Sequence, residues 1–291
     1  MKAAPFEYHA PDTTGDAVRL LAELGDDAKV LAGGQSLVPM LALRLALFGH
    51  LVDVGRIAEL RGIERHDAEL RIGAGTTQAA VEANAEVTAA VPLLARATPF
   101  IGHFQIRNRG TLGGSIAHAD PAAEYPSVAL TLDATMDVAS PRGARIIPAR
   151  DFFDGLWSTA MEPDELLVGV RFPIWTGRSG FAVEEFARRH GDFAIAGATV
   201  GVGLDEDDRI GRCAIGLIGL GSTPERAGRA EAELTGRPIA DVDPTEIGHL
   251  ATAGLESVPS DVHGSAAYRK RVGAAMVARA WTAAAEEARS E

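Results

Sequence analysis

The chain has 291 residues, a formal charge of −12 and 46% hydrophobic residues, ordinary proportions for a globular protein of this size. The acidic balance argues against a nucleic-acid binder, which needs a basic surplus to neutralise phosphates. A single cysteine, Cys213, excludes an internal disulfide framework, a zinc ribbon and a cysteine-held iron–sulfur cluster carried by this chain alone. Residues 1–8 lack the apolar stretch of a signal peptide. The most apolar segment, 37–48, is broken by Pro39 and Arg44 and is too short to span a bilayer. A cytoplasmic chain without a transmembrane segment is therefore expected.

In chain order, Ala17, Leu20, Leu21 and Leu24 predict a helix over 14–24, with Asp12, Thr13 and Thr14 as caps. A strand follows over 28–32, then Gly33-Gly34 and an apolar helix from about Leu37. Strands are expected over 50–54 and 69–74. Residues 76–90 read as one Ala-rich helix that Pro92 interrupts or restarts. The stretch 110–125 has no clean period before Ala122. Strands are read over 136–138 and 166–172, and a domain boundary over 173–180. The second half predicts strands over 183–186, 193–202 and 210–220, with 205–208 as a polar turn. Helices follow over 225–235, 244–253 and 265–285. The last carries a stripe of Tyr268, Val272, Ala275, Met276, Arg279 and Ala280. Strands followed by helices indicate an α+β second domain.

Two glycine clusters carry the chemical signal. Ala32-Gly33-Gly34-Gln35-Ser36 directly follows a strand, and Thr111-Leu112-Gly113-Gly114-Ser115 repeats its design. Paired glycines turn the chain sharply and offer successive backbone N–H groups, and the helix start after them adds positive potential. On the first cluster alone, a plain strand-to-helix turn is the commoner outcome. Two clusters, both flanked by hydroxyls that can donate to phosphate oxygens, favour a pair of loops clamping one pyrophosphate. Arg107 and Arg109 are candidates to balance its charge, although solvation is the usual fate of isolated arginines.

Other machinery is thin. Neither the G-x-G-x-x-G fingerprint nor the Walker pattern occurs, which disfavours a Rossmann domain and a P-loop NTPase. His118, Asp120 and Glu124 sketch a metal site, but one loop does not complete a coordination sphere, so no metal ligand set is assigned. Cys213 reads as a small buried hydrophobe. A nucleotide clamp without acid–base or metal machinery points to a chain that carries a redox cofactor.

These motifs, with Gln105-Ile106-Arg107-Asn108-Arg109-Gly110, the run to Asp120-Pro121, Arg188 with Gly191-Asp192-Phe193-Ala194, and Ser265-Ala266-Ala267-Tyr268-Arg269, resemble the FAD-binding medium subunit of molybdenum hydroxylases of the carbon monoxide dehydrogenase and xanthine dehydrogenase type. The matches run in order along nearly the whole chain. The resemblance implies an α+β fold: a vanillyl-alcohol-oxidase-type (PCMH) FAD-binding domain of two subdomains over 1–175. A smaller α+β domain, like the carbon monoxide dehydrogenase flavoprotein C-terminal domain, would cover 180–288. It assigns Ala32, Gly33, Gly34, Gln35, Ser36 and Leu37, with Thr111, Gly113, Gly114 and Ser115, to the FAD diphosphate and adjoining groups. Ile101 and Leu166 or Leu167 match apolar contacts to the rings. Glu124 matches an acidic residue near the ribose or ribityl hydroxyls, where a carboxylate accepts from two hydroxyls. Phe193 stands where some relatives carry Tyr beside the isoalloxazine. Glu185 stands where relatives often carry Lys near the flavin pyrimidine edge, which implies a lowered flavin potential if it faces the ring.

The resemblance further implies non-covalent FAD, with His118 the one candidate for covalent attachment. It also implies electron relay. A small partner subunit would hold two 2Fe–2S clusters, and a large one the molybdenum cofactor. Electrons would pass from the clusters through FAD to an external acceptor. Three rivals stay open: a stand-alone FAD oxidoreductase of the same fold, a nucleotide-sugar reductase of that fold, and a binding protein that uses its glycine loops only as turns.

Overall fold

Residues 2–290 are described by a computed structural model. Strands β1 (Glu7–His9), β2 (Ala28–Leu31) and β3 (His50–Asp53) form a parallel sheet in the order β1-β3-β2. Helix α1 (Thr14–Leu24) begins where the Thr13 hydroxyl accepts from the Asp16 amide at 3.1 Å. It buries Ala17, Val18 and Leu21 in a core shared with Val52 and Val54. Helix α2 (Leu37–Ala42) follows the first glycine cluster.

Next come β4 (Ile63–His66) and β5 (Glu69–Gly73), then α3 (Gln78–Glu82), α4 (Ala85–Ala90), α5 (Pro92–Ala97), α6 (Phe104–Arg107), α7 (Leu112–His118) and α8 (Glu124–Thr131). The single helix expected over 76–90 is two short ones, and Pro92 starts a third. Thr77 and Asn84 cause the break: each side-chain oxygen caps a new helix, accepting from the amides of Ala80 and Val87. The aperiodic stretch after Gly110 contains α7, capped by Thr111, whose hydroxyl accepts from the Gly114 amide at 3.0 Å. Its apolar stripe is too short for a periodic signal, and two glycines within it lower helix propensity.

Strands β6 (Thr135–Ser140), β7 (Gly143–Pro148), the small hairpin β8 (Phe153–Gly155) with β9 (Ser158–Thr159), and β10 (Leu166–Pro173) complete this half. The second sheet is antiparallel, ordered β4-β5-β10-β6-β7. Its register shifts between Leu167 and Gly169, and such a bulge re-aims side chains beside a site.

A third, antiparallel sheet contains β11 (Ser179–Phe186), β12 (Ala196–Leu204), β13 (Ile210–Ile218) and β14 (Glu225–Arg226), in that order. Helices α9 (Gly228–Leu234), α10 (Pro244–Ala253) and α11 (Ala266–Ser290) follow, and α11 packs across β11 and β12. The helix expected over 225–235 begins as β14, because Glu225 and Arg226 pair with β13. On α11 the buried stripe includes Gly273, Met276, Val277, Ala280, Trp281 and Ala284, while Ala275 and Arg279 face outward. The expected stripe was therefore rotated, because small alanines make either side of this helix look apolar.

The second and third sheets meet through α5 and α8. Glu287 of α11 accepts from both terminal nitrogens of Arg96 of α5, at 2.6 and 2.5 Å, and from the Phe181 amide at 2.8 Å. Thr199 of β12 bonds Ser127 and Thr131 of α8 at 2.8 and 2.7 Å. Among the described residues no helix is long and apolar enough to cross a membrane.

Candidate cofactor site

The two glycine clusters lie side by side. A Cβ on Gly33 would sit 2.3 Å from the Arg109 carbonyl and 2.6 Å from the Gly110 Cα, so only glycine allows the two loops to touch. Gly34 has φ +74°, the left-handed region that favours glycine. The clusters differ in what they leave free. In the second, the amides of Gly113, Gly114 and Ser115 are bonded to the Ala74 carbonyl, the Thr111 hydroxyl and the Thr111 carbonyl. In the first, the amides from Gly33 to Ser36 have no acceptor within the described chain. The open anion cradle therefore belongs to the first loop, and the second supports it.

A cavity of about 670 Å³ opens between these loops, within the range of small-molecule sites. All sixteen residues expected at the cofactor line it: Ala32, Gly33, Gly34, Gln35, Ser36, Leu37, Ile101, Thr111, Gly113, Gly114, Ser115, His118, Glu124, Leu166, Leu167 and Phe193. Ile101, Leu166 and Leu167 are buried apolar walls, whereas Phe193 is 66% exposed. Phe193 is carried on a loop pressed against the Gly102 turn, where a Cβ on Gly191 would lie 2.9 Å from the Gly102 carbonyl.

Several expectations are corrected here. Arg107 and Arg109 do not line the cavity. Arg107 is bonded to Glu82 at 2.8 and 3.2 Å and to the carbonyls of Ile101 and Gly102. Lys29, the second residue of β2, is the cation among the described lining residues. Glu185, matched by resemblance to a position near the flavin pyrimidine edge, stands outside the lining as well. Among the described residues, the side chains whose ligand atoms gather closely enough to hold a metal are Glu7, His9 and His50, on the paired strands β1 and β3 and outside the cavity lining.

Sequence reasoning missed other lining residues. Gln78, the first residue of α3, is buried with its Oε1 atom unpartnered. Trp157, at the tip of the β8–β9 hairpin, stacks on the His118 ring at 6.3 Å and donates from its indole nitrogen to Asp120 at 3.3 Å. Burial holds His118 below the usual histidine range, against the opposing charge of Asp120. Glu165 is spent on Arg145, with two contacts of 2.7 Å that hold its carboxyl below the usual range. Glu124 has no such partner. Burial, then the charges of Glu185 and Asp120, push its carboxyl well above the usual range, against the pull of its own amide.

A cavity with an open amide cradle, one lysine, apolar walls and an orphaned buried acceptor fits a long dinucleotide cofactor better than a compact metal site. Comparison with known proteins identifies which one. Residues 4–175 match the FAD binding domain in molybdopterin dehydrogenase, and residues 181–284 match the CO dehydrogenase flavoprotein C-terminal domain. The 6-hydroxypseudooxynicotine dehydrogenase complex subunit alpha of Paenarthrobacter nicotinovorans is 43% identical over 99% of this chain and 97% of that relative. The carbon monoxide dehydrogenase medium chain of Hydrogenophaga pseudoflava is 38% identical over 96% of each chain. Carbon monoxide dehydrogenase from Hydrogenophaga pseudoflava superposes with a TM-score of 0.95 at 39% identity, over 99% of both chains. Quinoline 2-oxidoreductase from Pseudomonas putida 86 gives 0.93 at 38% identity, again over 99% of both. The chain belongs to the FAD-binding medium subunits of the molybdenum hydroxylases, the carbon monoxide dehydrogenase and xanthine dehydrogenase family.

Proposed function

We propose that this chain is the FAD-carrying subunit of a multi-subunit molybdenum hydroxylase and relays electrons from 2Fe–2S clusters on a small partner, through FAD, to an external acceptor. A large partner would hold the molybdenum cofactor and the substrate, and the complex would work in the cytoplasm. The observation that carries this reading is the convergence of all sixteen family-matched residues on one cavity of about 670 Å³. The lone Cys213 supports the division of labour. It is buried on β13, its thiol pushed up to about 12 by burial, so the clusters need ligands from another chain.

The residues have separable tasks. Amides of the first loop would hold the diphosphate, with Lys29 supplying opposing charge. Thr111 caps α7 through its oxygen and keeps its O–H free to donate. Ile101, Leu166 and Leu167 exclude water from the ring site. Trp157 stacks on His118 in the cavity wall. FAD, when bound, supplies the exchange between one-electron and two-electron steps that side chains cannot perform.

Reconstitution tests the assignment. The purified chain, freed of cofactor and titrated with FAD, is expected to quench flavin fluorescence at one equivalent with a Kd below about 1 μM. No binding at tenfold higher FAD would overturn it. Flavin bound to a lone chain that itself turns over an organic substrate would favour the stand-alone oxidoreductase.

A further inference from the structure

Glu124 opens α8 at the cavity wall and is only 6% exposed. Among the described residues no other side chain bonds its carboxyl. Glu185 lies behind it on β11, on the face that alternation shares with Phe181 and Val183, both packed into the core of the N-terminal half. Its Oε2 atom is buried and has no hydrogen-bond partner. The placement follows from the fold: Ser127, one turn along α8 from Glu124, bonds Thr199 of β12, whose β11 partner is Val183, two residues from Glu185. α8 packs on β12 and β13, Glu185 pairs with Gly197 of β12, and the Pro121 carbonyl just before α8 accepts from the Gly219 amide at 2.8 Å.

Among the described residues no cation bonds this pair. Arg226 of β14 grips the opposite end of α8, at the Leu130 carbonyl and Asp133. Arg269 of α11 donates to the Ile195 carbonyl at 2.6 Å and to Asp261 at 2.9 and 2.8 Å. Arg96 of α5 is committed to Glu287. Arg212 of β13 sits over Trp175 and reaches Asp133. The Tyr125 hydroxyl is bonded to Thr98 at 2.9 Å. The remaining neighbour, Asp120, adds negative charge. Two carboxyls in one buried, cation-free place cannot both be ionised.

We propose that Glu185 is a positioning residue that keeps Glu124 protonated, so that Glu124 donates a hydrogen bond to an acceptor atom of the cofactor instead of accepting from its hydroxyls. The proposal rests on the FAD reading above and reverses the role that the resemblance implies for Glu124. Glu185 acts from behind and touches no cofactor. Burial pushes both carboxyls above the usual range, in the direction the proposal needs.

The test is FAD affinity of the cofactor-free full chain by fluorescence quenching, with the infrared carboxylic-acid C=O band as an independent readout. For the unaltered chain, affinity falls at least about tenfold between about pH 6 and about pH 9, as Glu124 loses its proton. Glu124→Gln keeps a donor at that place and removes the pH step. Glu185→Gln moves the step down by about one pH unit, because the neighbouring charge is gone. A buried acid C=O band is present at neutral pH and absent in Glu124→Gln. A flat pH profile in the unaltered chain, or a missing band, overturns the proposal. So does a loss in Glu124→Gln of more than about tenfold at the acid end. Absence of FAD binding at every pH overturns the functional reading instead, and the infrared band still decides the state of Glu124.

Discussion

Gly33 and Gly110, 77 positions apart, meet so closely that a Cβ on Gly33 would lie 2.6 Å from the Gly110 Cα. This contact joins the two glycine loops into one wall. The first loop leaves its amides from Gly33 to Ser36 open, while those of Leu112 to Ser115 in the second are bonded within the chain. Gly33→Ala therefore forces the loops apart. Overpacking against backbone is expected to cost about 1–3 kcal/mol and to weaken FAD binding by more than tenfold. Thermal unfolding and a fluorescence titration check both. Unchanged affinity would show that the loops need not touch.

Gln78 separates cofactor binding from folding. Its Oε1 atom is buried at the cavity and unpartnered, which is a cost to the cofactor-free fold. Gln78→Leu is expected to leave that fold equally or more stable and to weaken FAD about tenfold, the equivalent of one lost hydrogen bond. Equal losses of stability and affinity would mean that Gln78 is structural only.

Glu287 ties the C-terminal helix to α5. Hydrogen bonds from Arg96 hold its carboxyl below the usual range. A depressed folded-state value gives stability that is present above the ordinary Glu pKa of about 4.3 and is lost as pH falls below it. Glu287→Gln should cost about 1 kcal/mol near neutral pH, since Arg96 is partly exposed and screened by solvent. Denaturant unfolding at neutral and acid pH checks this. The difference between variant and parent should shrink at the acid end.

Cys213 is 6% exposed and its thiol is pushed up to about 12 by burial. A thiol reagent such as Ellman's is expected to react only after the chain is unfolded. Rapid labelling of the folded chain would contradict the burial of β13.

The lining of the candidate cavity is more legible in the sequence than the helices around it. Its residues sit in contiguous motifs, Ala32 to Leu37 and Thr111 to Ser115, whose composition carries a chemical reason. Strands such as β10 and β13 announce themselves as apolar runs. What stayed hidden depends on partners distant in sequence. Arg107 looked available for a diphosphate until the fold brought Glu82 to it. Lys29, one charge in a short strand, gave no signal that it would reach the cavity. The turn of α11 could not be fixed because alanine buries and exposes with nearly equal ease. Resemblance matches Glu185 to a position near the ring, and only the pairing of β11 with β12, on which α8 packs, brings it behind Glu124.

Purification of this chain from its own cell, with whatever accompanies it, tests the central claim most directly through the visible spectrum and the subunit bands. The account predicts flavin and iron–sulfur absorption together, two further subunits, and flavin that stays with this chain when the three are separated. A chain that carries no flavin and takes up none when FAD is added would contradict it.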